Sequence, residues 1–381
     1  MSVAVIAVVL TALVFDFTNG FHDTANAMAT SIATGALRPR VAVLLAGVLN
    51  LVGAFLSVQV ALTISSGLVD EARITPEVIF AGLIGAILWN LLTWLLGLPS
   101  SSSHALFGGL IGASWVAAGS GAINFSTVVG KVLVPLALSP VVAGVVALTA
   151  TAVVYRLAAH GDRRTLNRGF QAAQVVSASM VALAHGTNDA QKTMGVITLT
   201  LITVGLLPAR SAPPLWVVIA AGLAIAAGTA TGGWRIIQTL GRRISDIQSP
   251  QGFAAETATT AVILSAAHLG FALSTTQVTT GAVLGAASGR HRAVVRWRVV
   301  ARMAAVWLIT LPAAAAVGAL AAWVAARGTA GTVLVAVLTI AIAGGIYGLS
   351  RRRPVTAVTV NELPPPQQQQ RQIAVAARAA A

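Results

Sequence analysis

Polar residues that could bind ions occur twice in this chain, in the same order and about half a chain apart. The first set has Asp23, followed 78 residues later by a run of hydroxyl side chains that starts at Ser101. The second has Asp189, followed 85 residues later by a run that starts at Ser274. Carboxylates can hold a cation or a proton, and clustered hydroxyls can hydrogen-bond an oxyanion. The repetition predicts one binding site built from two similar halves.

Composition places these polar groups in a membrane. Of the 381 residues, 56% are hydrophobic and 9% are charged, and apolar stretches long enough to cross a bilayer recur along the chain. The formal net charge of +14 does not indicate nucleic acid, because Lys and Arg fall mostly in short loops, where they act as topology signals. The chain has no Cys, which excludes disulfides and Cys-ligated metals. We predict an all-α polytopic membrane protein, multi-pass in the cell (inner or plasma) membrane. Its partner is the lipid bilayer, and we expect no nucleic-acid partner, no cofactor and no enzymatic activity.

The distribution of Arg predicts two halves of opposite orientation. Each half reads as an interrupted span, a second span, a re-entrant hairpin and a last span. These segments are 2–36, 41–66, 77–118 and 127–155 in the first half, and 170–207, 214–234, 253–289 and 299–325 in the second. We therefore predict inverted structural repeats with broken helices and two re-entrant hairpins, an architecture common among secondary transporters.

The domain boundaries follow from this order. Residues 1–158 are predicted as the first transmembrane repeat, 159–169 as a cytoplasmic basic loop, 170–327 as the second, inverted repeat, 328–350 as an additional transmembrane helix, and 351–381 as a C-terminal tail. We place the break in the first span at Gly20, His22 and Asp23. The tail is predicted to be disordered because of its runs of Pro and Gln.

The hydroxyl runs suit an anion. Each lies where an apolar helix is predicted to begin again, and a helix N-terminus carries about half a positive charge together with free N–H groups. A hydroxyl can donate to an oxyanion or accept from a protonated oxygen. Single Ser and Thr residues in membrane helices often bond only to their own backbone. Two runs that superimpose without gaps, 101–104 on 274–277, favour a binding site.

The acidic residues suit a cation or a proton. Asp16, Asp23 and Asp189 lie in predicted spans, where an unpaired carboxylate costs roughly 2.5 to 3.5 kcal/mol on insertion scales. Lys192 can neutralise Asp189 or approach the anion. Amide oxygens suited to a hard cation are supplied by Asn26, Asn188 and Gln191. An anion on helix ends beside a cation or proton on carboxylates is what a symporter requires.

These motifs resemble the paired signatures of the PiT family of inorganic phosphate transporters, over roughly residues 1–350. The segments that carry the resemblance are Gly20–Ala27, Pro99–His104, His185–Lys192 and Ser274–Gln277. The resemblance implies a low-affinity phosphate carrier with inverted repeats that works as a homodimer. It assigns phosphate contacts to Ser101, Ser102, Ser103, Ser274, Thr275 and Thr276, and coupling-ion contacts to Asp23, Asn26, Asn188 and Asp189. Asp23 and Asp189 are the metal ligands if the coupling ion is Na⁺.

The resemblance also bears on the coupling ion. His22 is similar to bacterial members described as proton-coupled, which often carry phosphate as a neutral metal complex, whereas members with Asn there use Na⁺. The chain departs from the pattern at Ala272, where the first copy has Pro99, and at Gln277, where the family often has His. The second departure argues against a symmetric His pair. Auxiliary roles are expected for Asp16, His22, His104, Lys192 and Gln277.

Other functions fit less of the pattern. A metalloprotease would need a His-Glu-x-x-His motif, and Ser103 beside His104 is a weak Ser/His dyad because neighbours in sequence seldom face each other. The sequence around Lys131 lacks the Gly-rich phosphate loop of an ATP-driven pump. We predict a secondary active transporter that imports inorganic phosphate, alone or as a metal complex, by symport with H⁺. The alternatives are Na⁺-coupled symport, a sulfate permease of the same family, or an anion channel.

Overall fold

The computed structural model describes residues 2–158, 162–290 and 294–362, which are almost entirely helical. The helices in these ranges are α1 (Val3–Thr34), α2 (Pro39–Gly53), α3 (Gln59–Gly67), α4 (Pro76–Leu96), α5 (Ser102–Ala118), α6 (Phe125–Leu157), α7 (Arg163–Thr203), α8 (Leu215–Thr231), α9 (Trp234–Arg243), α10 (Ser249–His268), α11 (Thr275–Ser288), α12 (Trp297–Ala325) and α13 (Thr329–Arg351). The first six helices form one half of the molecule and the next six the other half, with α13 added at the end.

Several helices have the length and composition of membrane spans. Among the described residues, α1, α4, α6, α12 and α13 are each long and apolar enough to cross a bilayer, and α8 and α9 together make a further apolar segment. Large apolar side chains lie on the outer surface, such as Leu308, 79% exposed, and Ile340, 72% exposed. Lipid can solvate these side chains, and a helix satisfies its own backbone hydrogen bonds. The predicted class, an all-α multi-pass membrane protein, is confirmed.

Helices of each half pack against helices of the other half. Helix α12 of the second half lies against the α4–α5 pair of the first, and α6 of the first half lies against the α10–α11 pair of the second. In the same way α1 packs on α8, and α7 packs on α2. Trp307 of α12 donates its indole N–H to the carbonyl of Pro99 at 3.0 Å, which holds the peptide just before the first hydroxyl run. Matched contacts of this kind are expected of two like repeats; their inversion in the membrane stays a prediction.

The first helix of each half is continuous, so the interruptions predicted in 2–36 and 170–207 are wrong. Gly20 does not end α1, because its role is close packing: a Cβ there would overlap the backbone of Ile225 in α8. Gly186 has the same role in α7, where a Cβ would overlap the backbone of Asn50 in α2. A glycine that brings two helices together need not break either of them.

Breaks occur instead in the second span of each half. Residues 54–58 separate α2 from α3, and α8 and α9 are bent by 60° beside Gly232, whose φ is 76°. The N-terminus of α3 is capped from α7, where Gln191 Oε1 accepts the N–H groups of Val60 (2.8 Å) and Ala61 (3.3 Å). Free backbone donors inside a membrane need such partners. The side-chain oxygen of Gln191, predicted to suit a cation, therefore caps a helix.

Two predicted boundaries also change. Helix α7 begins at Arg163, so most of the loop predicted for 159–169 is helical, while residues 159–161 lie outside the described part of the chain. The segment after α13 is packed against the body: Arg235 donates to the carbonyl of Arg353 at 2.6 Å, and Gln238 donates to that of Glu362 at 2.6 Å. These side chains of α9 need acceptors, which the segment supplies. The disorder predicted from residue 351 is therefore wrong up to residue 362, and residues 363–381 lie outside the described ranges.

Candidate functional site

The two hydroxyl runs begin helices, as predicted. Ser101 is the N-cap of α5 and its Oγ accepts the N–H of His104 at 3.1 Å; Ser274 is the N-cap of α11 and accepts the N–H of Gln277 at 3.3 Å. The two caps have nearly the same backbone, with φ/ψ of −94°/109° and −88°/105°. Capping uses one oxygen of each run and leaves the next hydroxyls for other contacts. Those hydroxyls belong to Ser102, Ser103, Thr275 and Thr276.

Hydroxyls from both runs converge on Asp23 in α1. Ser102 donates to Asp23 Oδ2 at 2.8 Å, and Thr276 donates to Oδ1 at 3.2 Å. Thr275 reaches Oδ2 at 3.5 Å. His22 completes the group, with Nδ1 2.6 Å from Asp23 Oδ1. The two helix N-termini and the carboxylate thus form a single site.

Asp189 in α7 joins the same site from the other half. Thr275 donates to Asp189 Oδ2 at 3.2 Å, so that one hydroxyl lies between the two carboxylates. Asn188 donates to Oδ1 at 2.7 Å, and Lys192 Nζ lies 2.5 Å from the same oxygen. His185 Nε2 lies 3.1 Å from Oδ2. The structure therefore brings the two duplicated motifs together, although they are far apart in sequence.

The donor set of this site fits a cation. Asp23, His185 and Asp189 each offer a ligand atom within 4.8 Å of the others. Asn26 donates an Nδ2 hydrogen to Thr276 at 3.0 Å, and its Oδ1 has no hydrogen-bond partner among the described residues. Within the described ranges, buried amide oxygens without a hydrogen-bond partner belong to Asn19, Asn26, Asn90, Asn188 and Gln277. Carboxylate and amide oxygens are the ligands that hard cations prefer.

Every residue predicted for the site is buried. These are Asp16, His22, Asp23, Asn26, Ser101, Ser102, Ser103, His104, Asn188, Asp189, Lys192, Ser274, Thr275, Thr276 and Gln277. Their contacts differ. Ser103 donates to the carbonyl of Leu273 at 2.9 Å, so its hydroxyl ties α5 to the segment before α11. Both ring nitrogens of His104 lack a hydrogen-bond partner in the part of the chain that the structure describes. Asp16 has Thr193 and Asn19 as polar neighbours and lies within electrostatic reach of Asp189 and Lys192.

Sequence reasoning missed several members of the site. Asn19 donates across the interface between the halves to Asp189 at 3.4 Å, and His185 lies beside the same carboxylate. Both belong to the duplicated motifs, since Asn19 and His185 each precede the motif Asp by four residues. Ser100 and Thr93 were also missed; both hydroxyls lie 3.2 Å from His22 Nε2. The signal for Ser100 was its place next to the first run.

A further buried carboxylate, that of Glu256 in α10, was missed altogether. Its Oε1 accepts from Thr30 at 2.6 Å and from Gln174 at 3.1 Å, and its Oε2 accepts from Ser177 at 2.5 Å. The network links α10 to α1 and α7, one turn beyond Asn26 along α1. The sequence does indicate Glu256, because it lies within the hairpin predicted for 253–289 and an ionisable residue inside a membrane segment is a functional candidate.

Comparisons with known proteins agree with this arrangement. A family model described as "Phosphate transporter family" matches residues 19–318, which include both motif pairs. A probable low-affinity inorganic phosphate transporter of Mycobacterium bovis is 54% identical over 357 residues, which cover 93% of this chain and 86% of the relative. One from Rhizobium meliloti is 42% identical over 320 residues, covering 83% and 94%. The chain belongs to the phosphate transporter family.

The fold of this phosphate transporter is also found in a solved structure. A protein described as the sodium-dependent phosphate transporter superimposes with a TM-score of 0.76, covering 85% of this chain and 99% of the other at 23% identity. That likeness concerns the fold. The family assignment, the apolar helices and the buried polar site together make this chain a multi-pass plasma-membrane phosphate transporter of the PiT family, as the motifs indicated.

Proposed function

We propose that this transporter imports inorganic phosphate by symport with H⁺, with phosphate on the two hydroxyl runs and the coupling charge on Asp23 and Asp189. The observation that carries the proposal is the position of Thr275. Its hydroxyl belongs to the run that begins α11, and it lies 3.2 Å from Asp189 and 3.5 Å from Asp23. A phosphate on this run is one hydrogen bond away from both carboxylates. Like charges at that range repel, so phosphate binding requires a coupling cation or proton at the same time.

The nitrogen partners of the carboxylates favour the proton. Asp23 has His22 Nδ1 at 2.6 Å, and Asp189 has Lys192 Nζ at 2.5 Å. The Asp23 carboxylate can therefore share a proton with the His22 imidazole, a pairing that Na⁺ coupling would not require. Na⁺ is the second candidate, favoured by the free amide oxygens around Asp23, Asp189 and His185. The two candidates predict different driving gradients.

The chemistry of the hydroxyls favours phosphate over sulfate. At neutral pH inorganic phosphate still carries a P–OH group, whereas sulfate offers only acceptor oxygens. Ser and Thr hydroxyls can accept from the P–OH group as well as donate to the other oxygens. A phosphate paired with a divalent metal would present less negative charge to Asp23 and Asp189. The names of the relatives support phosphate as the anion.

Uptake of radiolabelled phosphate into proteoliposomes of the purified protein tests the proposal. The first condition is an imposed pH gradient without Na⁺, and the second is a Na⁺ gradient without a pH gradient, each with and without excess sulfate and with and without EDTA. We expect accumulation above equilibrium with the pH gradient alone and no competition by sulfate. Dependence on the Na⁺ gradient would reassign the coupling ion. Sulfate-blocked uptake would indicate a sulfate permease, flux that only equilibrates would indicate a channel, and loss of uptake in EDTA would indicate a metal–phosphate substrate.

We further propose that the protein works as a homodimer, as the family resemblance implies. Light scattering of the detergent-purified protein, corrected for bound detergent, measures the protein mass directly. A mass of one chain at concentrations that support uptake would reject the dimer.

A further inference from the structure

We infer that Lys192 is a built-in cation for Asp189, taking the place of a mobile coupling ion, so that only the Asp23 half of the site is loaded from solution. This inference rests on the proposed function and narrows it: of the two carboxylates proposed for the coupling charge, only Asp23 takes up its ion from solution. It makes Lys192 a determinant of ion specificity rather than a phosphate ligand.

The first support is the environment of Lys192. Its side chain is fully buried, and its Nζ lies 2.5 Å from Asp189 Oδ1, one helical turn back along α7. Asp16 also lies within electrostatic reach of this ammonium. A buried ammonium is costly without a counter-charge, so the pair is retained as a unit. The i,i+3 spacing on a continuous helix keeps the two groups together.

The second support is the comparison of the two halves. Aligned on their Asp residues, segments 19–26 and 185–192 match without gaps, and Lys192 falls on Asn26. The two side chains offer opposite chemistry to the neighbouring carboxylate. Asn26 keeps a buried oxygen without a partner among the described residues, which is a cation ligand, whereas Lys192 supplies the cation itself.

The third support is electrostatic exclusion. A Na⁺ ion bound to Asp189 would lie within a few ångströms of Lys192 Nζ, because both would contact the same carboxylate. Two positive charges at that separation repel strongly in a water-poor site. A mobile cation on Asp189 is therefore disfavoured while the ammonium is in place. Asp23 has no lysine beside it; its nitrogen partner is His22, at 2.6 Å.

The substitution Lys192→Asn tests the inference, because it gives the second half the residue of the first. Purified variants are melted in detergent in increasing NaCl, with choline chloride at equal ionic strength as reference. We expect NaCl to raise the Tm of Lys192→Asn by an increment that the wild type lacks, since Na⁺ takes the place of the ammonium and stabilises the folded state by binding. The double variant Lys192→Asn/Asp189→Asn lacks the carboxylate that would bind Na⁺, so its Tm should not show this Na⁺-dependent rise.

Lys131 provides the matched control. It is the other lysine of the chain, and its ammonium lies 4.5 Å from the centre of the Phe271 ring rather than beside a carboxylate. Lys131→Asn should show the same difference in Tm between the two salts as the wild type. A Na⁺-dependent increment no larger in Lys192→Asn than in the wild type would overturn the inference. If that variant does not fold, Lys192→Gln is used, and failure of both to fold even in NaCl would also count against it.

A separate measurement distinguishes this inference from the proposed function. Counterflow of labelled phosphate by wild-type proteoliposomes needs no coupling gradient and reports transport alone. Absent counterflow would reject the proposed function, whatever the melting curves show. Counterflow with unchanged melting of Lys192→Asn in NaCl would reject only the role of Lys192.

Discussion

At the scale of single residues, the two carboxylates of the site have different partners, so replacing each one should impair transport for a different reason. Asp23→Asn removes the carboxylate beside His22, while Asp189→Asn removes the carboxylate that pairs with the buried ammonium of Lys192. We expect either variant to lose accumulation of phosphate against a gradient, whereas exchange of internal for external phosphate survives in Asp23→Asn. Both are measured with labelled phosphate in proteoliposomes.

The control for these variants is Asp70→Asn. The Asp70 side chain is 43% exposed and pairs with Arg73 at the surface, where an ion pair contributes little. It should accumulate phosphate like the wild type. Full accumulation by both Asp23→Asn and Asp189→Asn would show that neither carboxylate takes part in coupling.

Glu256 is expected to matter for stability. Glu256→Leu would leave three buried donors, on Thr30, Gln174 and Ser177, without their acceptor, at a cost of about 1 to 3 kcal/mol for an unsatisfied group. Glu256→Gln keeps an oxygen acceptor and the side-chain shape, so it should cost less. Thermal unfolding in detergent compares the two. Equal melting temperatures for Glu256→Leu and the wild type would mean that the network does not stabilise the fold.

At the scale of helices, glycine contacts position the site. A Cβ at Gly20 would meet the backbone of α8, which cannot move aside as a flexible side chain could. Gly20→Ala should therefore push α1 away from α8, destabilise the protein by about 1 to 3 kcal/mol and displace Asp23, with lower uptake as the result. Gly344→Ala in α13 is the matched control, because nothing among the described residues lies within 4 Å of that position. It should be neutral or slightly stabilising, since Ala favours a helix over Gly. Tm and uptake of the two variants decide the point, and equal values would show that α1 tolerates the added methyl group.

The same helices show what the sequence could and could not predict. The starts of α5 and α11 were predictable because Ser101 and Ser274 carry local N-cap chemistry that the chain shows twice. The break expected at Gly20 was wrong because a glycine can either end a helix or allow a neighbouring helix to approach closely. The sequence does not distinguish these two roles, and here the position of α8 shows the second. Glu256 was missed because it has no counterpart in the first half, where the aligned residue is Leu83.

At the scale of the whole molecule, matched packing extends to the loops outside the site. Asp70 precedes α4 and Asp246 precedes α10, in equivalent places of the two halves, and each follows the residue of an isolated β-bridge. If the repeats are inverted, these two loops lie on opposite sides of the membrane, with Asp70 outside and Asp246 inside. Parallel repeats would place both on the same side. The sides of the membrane on which Asp70 and Asp246 lie therefore show whether the two halves are inverted.

Because the chain has no Cys, single cysteines can report these positions without further changes. Asp70 and Asp246 are 43% and 49% exposed, and their ion pairs lie at the surface, so Asp70→Cys and Asp246→Cys should fold normally. We expect a membrane-impermeant maleimide to label Asp70→Cys in intact cells and Asp246→Cys only after permeabilisation, with the Cys-free parent as the unlabelled control. Labelling of both from the same side would reject the inverted repeats that the distribution of Arg predicts.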